Sequence, residues 1–301
     1  GMIRLSNENT IFFMDKENVP IASCQSGDTV IFETKDCFSD QITNEEQALT
    51  SIDFNRVNPA TGPLYVEGAR RGDMLEIEIL DIKVGKQGVM TAAPGLGALG
   101  ESLNSPTTKL FPIEGDDVVY STGLRLPLQP MIGVIGTAPP GEPINNGTPG
   151  PHGGNLDTKD IKPGTTVYLP VEVDGALLAL GDLHAAMGDG EILICGVEIA
   201  GTVTLKVNVK KERMFPLPAL KTDTHFMTIA SAETLDAAAV QATKNMATFL
   251  ANRTALSIEE AGMLLSGAGD LYVSQIVNPL KTARFSLALH YFEKLGVDLC
   301  N

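Results

Sequence analysis

The sequence predicts a mainly β protein: a sandwich- or barrel-like core over residues 2–215 with long connecting loops, and a smaller α+β module over 216–301. Three observations predict it. Apolar and polar residues alternate with period two in several short runs before residue 215, Gly and Pro interrupt those runs at short intervals, and beyond Pro216-Leu-Pro218 helical spacing appears. Short strands spaced this way suit a sandwich or barrel better than alternating βα units.

The strands expected in the first part are 29–34, 74–80, 166–171 and 202–209. An apolar run at 176–180 reads as a buried strand leading into Asp182 and His184, and 192–196 as another that encloses Cys195. Residues 88–160 are rich in Gly, Pro, Asn and Thr and read as loops, which in a compact domain carry function. The formal GxGxxG at Gly95–Gly100 is not a dinucleotide site, because Pro94 precedes it and no adequate helix follows. In the second part a strand at 226–230 precedes an Ala-rich helix at 234–251. The capping-box pair Ser257 and Glu260 starts another helix through Leu265. Strands at 271–277 and 284–289 follow, separated by Asn278-Pro279.

A formal net charge of −15 argues against nucleic acid as a partner. No apolar run is long enough to span a bilayer and no secretory leader is visible, so a soluble, cytoplasmic protein without a membrane partner is expected. Gly1 ahead of Met2 reads as a cloning remnant. The four cysteines form no CxxC, and Cys195 reads as a plain buried thiol.

The most informative stretch is Gly181 to Glu191, where Asp182, His184, Asp189 and Glu191 are separated by small residues, Leu183 and Met187. Side chains two apart on a strand share a face, so Asp182 and His184 can grip one divalent cation. Gly188 and Gly190 let the chain turn and bring Asp189 or Glu191 back to the same point. A satisfied internal hydrogen-bond pair is the alternative. The second motif is Gly150-Pro-His-Gly-Gly-Asn-Leu-Asp157, where the flanking glycines argue against a core histidine; a solvent-exposed turn is its alternative. Third is Asp36, at the end of a buried strand, which is either a ligand or a carboxylate finishing a turn. No GxSxG or other familiar nucleophile signature is present, so a hydrolytic reading rests on activated water.

At these motifs the chain resembles the acetamidase/formamidase family. The similar segments are 58–68, 130–136, 148–157 and 181–191, with 261–270 and 274–279 resembling the closing pattern. The resemblance implies hydrolysis of a small linear amide, formamide or acetamide, to ammonia and carboxylate, a predominantly β architecture and a homo-oligomer. The residues themselves suggest the site. Asp36, Asp182 and His184 would hold a divalent metal, Zn²⁺ foremost with Mn²⁺ or Ca²⁺ as alternatives. Glu191 would carry the water's proton to the departing ammonia, and His152, oriented by Asp157, would bond the oxyanion. Asn155, Asp189, Gly153 and Gly154 would contact substrate, the glycines at 153, 154, 188 and 190 leaving room for a small acyl group only. Two other readings remain: a metal-dependent hydrolase of an ester, a cyclic amide or a longer amide, and a non-catalytic Ca²⁺-binding β-sandwich module.

Overall fold

A computed structural model describes residues 2–47 and 49–300. The fold is mainly β, as predicted, with a nine-stranded sheet facing a seven-stranded one. The nine-stranded sheet runs in the order Ile3–Leu5, Thr29–Thr34, Gly201–Lys210, Met74–Val84, Thr166–Pro170, Ala219–Lys221, His225–Ala232, Lys281–Ala288, Asp270–Gln275. All its pairs are antiparallel except the first, which is parallel. The alternation that marks 29–34 in the sequence appears as strict alternation of half-buried and buried side chains along Thr29–Thr34.

The other sheet is centred on Met131–Gly136, Leu178–His184 and Ala60–Val66. Leu178–His184 is buried at every position. Both its faces are covered, which is why its sequence is apolar without alternation. Phe32, Ile77 and Leu205 of one sheet pack with Leu64, Ile132 and Leu180 of the other in a single core.

A second core lies under the helices Leu235–Arg253 and Ile258–Ala268. The first buries Ala238, Ala242, Met246, Phe249 and Leu250, one apolar stripe at helical spacing. Its Phe249 meets Phe226 of the sheet at 5.8 Å between ring centroids. Thr234 caps the first helix, and Ser257 with Glu260 forms the expected capping box on the second. Strands on either side of residue 215 are hydrogen-bonded neighbours, Thr166–Pro170 against Ala219–Lys221, so the sheet continues through that point.

Two expectations need correcting. The stretch 88–160 is not mainly loop: Gln87–Ala92, Thr107–Glu114, Asp117–Ser121 and Leu124–Pro127 form a four-stranded antiparallel meander. Its strands face solvent along much of their length and carry Pro and charged residues, which hides the alternation. Residues 192–196 are not a strand but turns and bends, although Cys195 is buried as expected.

Candidate active site

Strand Leu178–His184 ends against a cleft, and its residues begin the site. Asp182 has φ of 55°, a left-handed conformation rare for a non-glycine residue and rarer still inside a strand. The ladder to Met131–Gly136 is interrupted there: Ile132 pairs Leu183 and Val134 pairs Gly181, but Gly133 and Asp182 do not pair. Glu191 and Asp157 also take left-handed conformations, with φ of 46° and 41°. Three carboxylate-bearing residues held in costly backbone states mark a place that the surrounding fold over-determines.

Those side chains converge on one imidazole. His184 is fully buried, and its Nε2 lies 2.9 Å from Glu198, 3.2 Å from Asp182, and 3.8 Å from both Asp157 and Glu191. Gly133 makes this convergence sterically possible. A Cβ there would lie 2.4 Å from an Asp182 oxygen and 2.5 Å from an Asp157 oxygen. Asn278 donates from its amide to the other Asp157 oxygen and to the Asn155 carbonyl, each at 2.8 Å. Residues beyond strand Asp270–Gln275 thereby complete a site that begins near residue 131. Gly190 donates to the Ser274 carbonyl and accepts from the Ile276 amide, which ties the Glu191 loop to the same segment.

Buried carboxylates so close together distort one another's titration. Burial, then the Asp182 charge, pushes Asp157 up to about 7. Burial and the Asp157 charge hold Glu191 well above the ordinary carboxylate range, and burial and the Asp182 charge do the same to Glu198. Burial opposes charge on His184 as well, but the Glu198 and Asp182 carboxylates outweigh it and hold the imidazole well above its usual value. Burial is the largest influence on Asp182 and raises it, but the His184 charge together with hydrogen bonds to His184, Glu198 and Asp157 outweighs it, so Asp182 stays below its ordinary value.

One oxygen each of Asp157, Glu191 and Glu198 is buried without a hydrogen-bond partner. Negative groups buried together with open lone pairs are what a divalent cation satisfies. Two ligand sets fit, Asp157, His184 and Glu191, and Cys37, Asp182 and Glu198, the atoms within each lying inside 4.8 Å of one another. The carboxylates form one wall of a cavity of about 340 Å³. Its thiols are poor nucleophiles: burial pushes Cys195 up to about 12 and raises Cys37 as well.

The structure thus brings Asp157, Asp182, His184 and Glu191 together, and Asn155 also lines the cavity. Four other expectations fail. Asp36 belongs to neither ligand set; its carboxylate accepts from the Phe38 and Asp40 amides, the turn-finishing alternative. His152 is buried, 3% exposed, but does not line the cavity; it packs against Gly150 and Gly154, and burial lowers its pKa to about 4. Gly153 and Gly154 pair in the sheet with Gly136 and Ile135 instead of facing substrate. Asp189 points away to Arg284, at 3.0 Å, and to Lys159. Glu198, Cys37 and Asn278 were missed. Glu198 did leave a sign, a lone acid in the apolar stretch Gly196-Val-Glu-Ile-Ala200.

A family model described as the acetamidase/formamidase family matches residues 14–146 and 142–278. The chain belongs to that family. A solved structure of a protein predicted to be an acetamidase/formamidase, from the thermophile Thermoanaerobacter tengcongensis, superposes with a TM-score of 0.96 at 48% identity, covering 99% of this chain and 100% of the other. An acetamidase structure from Yersinia enterocolitica gives a TM-score of 0.91 at 29% identity, over 97% of this chain and 93% of that one. A formamidase of Methylophilus methylotrophus is 27% identical over 64% of this chain and 62% of its own length. The chain spans 62% to 64% of the length of the curated relatives it matches. Among the described residues no helix is long and apolar enough to cross a membrane.

Proposed function

We propose that this member of the acetamidase/formamidase family hydrolyses linear amides to a carboxylate and ammonia at the cluster around His184. One observation carries the reading: four buried carboxylates that line a cavity surround one buried imidazole nitrogen behind them. A structural ion-pair network would gain nothing from unpartnered oxygens beside a cavity, whereas an acid–base site needs them.

Asp182 and Glu198 of one ligand set, joined by His184 of the other because both acids lie within hydrogen-bonding distance of its ring, are the residues that would hold a divalent cation, zinc foremost. The two acids lie 3.2 and 2.9 Å from the imidazole nitrogen, mixed oxygen and nitrogen donors of the kind zinc takes. When bound, such an ion polarises a carbonyl and lowers the pKa of water from about 15.7 to about 7. Glu191 then takes the proton of the attacking water and delivers it to the departing nitrogen as the C–N bond breaks. Its raised pKa and its unpartnered Oε1 suit both transfers. Asp157 is held by Asn278 beside Glu191 and keeps that carboxyl's proton affinity high. Asn155 Oδ1, buried and unpartnered, is the acceptor for the substrate's N–H.

Elemental analysis of the purified protein, with ammonia release measured before and after chelation and re-addition of zinc, tests the reading. Stoichiometric metal and chelation-sensitive ammonia release are expected; full activity in metal-stripped protein sinks the cation's part, and no ammonia from any amide sinks the whole. A homo-oligomer remains part of the proposal, supported by exposed Val240, Ile258 and Met263 on the two helices. Light scattering across a dilution series checks the assembly.

A further inference from the structure

We infer that the preferred substrate is an amide with a neutral, apolar acyl group of about five to eight carbons, and that formamide and acetamide leave most of the site empty. The inference rests on the amide-hydrolase reading above and specifies its substrate class. Volume is the first ground. The cavity measures about 340 Å³, whereas an apolar cavity of about 150 Å³ is enough to bind benzene, itself larger than acetamide. With an amide group placed against the carboxylates, space for a chain or ring remains.

The character of the walls is the second ground. Away from the carboxylates the cavity is bounded mainly by apolar side chains, Phe38, Leu49, Phe54, Val57, Ile194 and Val277 among them, interrupted by neutral amides and the Thr91 hydroxyl. Phe54 is 60% exposed, a large apolar side chain at the rim that the fold leaves in water and an apolar ligand would cover. No lysine, arginine or histidine lines the cavity among the described residues. A charged acyl chain would therefore lose its hydration with no counter-charge to replace it. The glycines expected to narrow the site do not: Gly153 and Gly154 are inside the sheet, and a Cβ on Gly188 would meet nothing within 4 Å.

The test is a series of kcat/KM values from ammonia release with formamide, acetamide, butanamide, hexanamide and phenylacetamide, and succinamate as the charged control. Each methylene that becomes buried contributes about fourfold. Hexanamide should exceed acetamide by about two orders of magnitude on that basis, phenylacetamide should rank with it, and succinamate should be the poorest. A flat or falling series from acetamide onward overturns the inference and leaves the hydrolase reading intact. Ammonia from none of the amides overturns both. A second measurement does not depend on turnover: calorimetric titration of the chelated protein with butan-1-ol and hexan-1-ol. Hexan-1-ol should bind about tenfold or more tightly, and equal affinities count against the inference. Val57→Phe and Val277→Phe, which fill part of the cavity, should each lower the hexanamide-to-acetamide ratio.

Discussion

Gly133 is the residue on which two carboxylates rest. Because its missing Cβ is the space that Asp182 and Asp157 occupy, Gly133→Ala must displace both or shift the strand. We expect that variant to fold, to lose metal affinity by at least tenfold, and to lose ammonia release with it; equilibrium dialysis alongside the assay checks this. Glu191→Gln removes the proton carrier without removing any of the three proposed ligands. It should keep its metal and lose about 10²- to 10⁴-fold in kcat. His184→Ala should lose metal and activity together. A Glu191→Gln protein releasing ammonia at the unaltered rate would take Glu191 out of the role. At this level the sequence was readable where acids and histidine crowd a short run of small residues, as from Asp182 to Glu191. It misled where glycine neighbours made His152 look loop-borne, since those glycines sit in strand pairs that bury the ring. Asp36 reads in sequence like a ligand and Glu198 carries only the sign of its apolar setting, because only the third dimension places Glu198 beside His184 and leaves Asp36 capping its own turn.

Loops 155–160 and 188–191 are held to the strands Asp270–Gln275 and Lys281–Ala288 through Arg284. Its guanidinium, 2% exposed, bonds Asp160 at 2.6 Å and Asp189 at 3.0 Å, three residues from Asp157 and two from Glu191. Arg284→Met leaves Asp160 unpaired and Asp189 with Lys159 alone, at a cost of about 3 kcal/mol because each acid keeps part of its surface in water. Urea denaturation measures that loss. Arg284→Lys should recover part of it, but not the two-sided geometry of a planar fork. The strands and helices themselves were largely foreseeable. Alternation marks 29–34 and 202–209, and Ser257 with Glu260 marks the second helix, because each pattern is set by neighbours close in sequence. The meander from Gln87 to Pro127 was not, since half-solvated strands have little apolar signal to give.

Four carboxyls and His184 hold protons in the folded molecule that the unfolded chain would release; His152, lowered from 6.5 to about 4 by burial, opposes them as pH rises through that range but is outnumbered. Burial raises Asp157 from 3.8 to about 7 and Asp36 to about 6, and Glu191 and Glu198 move the same way. A carboxyl with a raised folded pKa contributes stability that declines as pH rises from its unfolded pKa to its folded one. His184, also raised, adds stability below its unfolded pKa that is lost as pH climbs through the folded value. Metal-stripped protein should therefore melt several degrees higher near pH 5 than near pH 8. A bound cation takes the place of those protons, so zinc should raise the melting temperature more at pH 8 than at pH 5. Calorimetry at both values, with and without zinc, decides it; equal shifts would show that the carboxylates and the ion do not share one site.

Gly190, Asn278 and Arg284 together give assembly a direction. A ribosome that has threaded out everything through residue 269 has already supplied all four acids and the imidazole, yet the two loops bearing Asp157 and Glu191 lack the seam that closes them. Competence arrives only with segment 270–284, so an unfinished chain stays inert until its walls are standing.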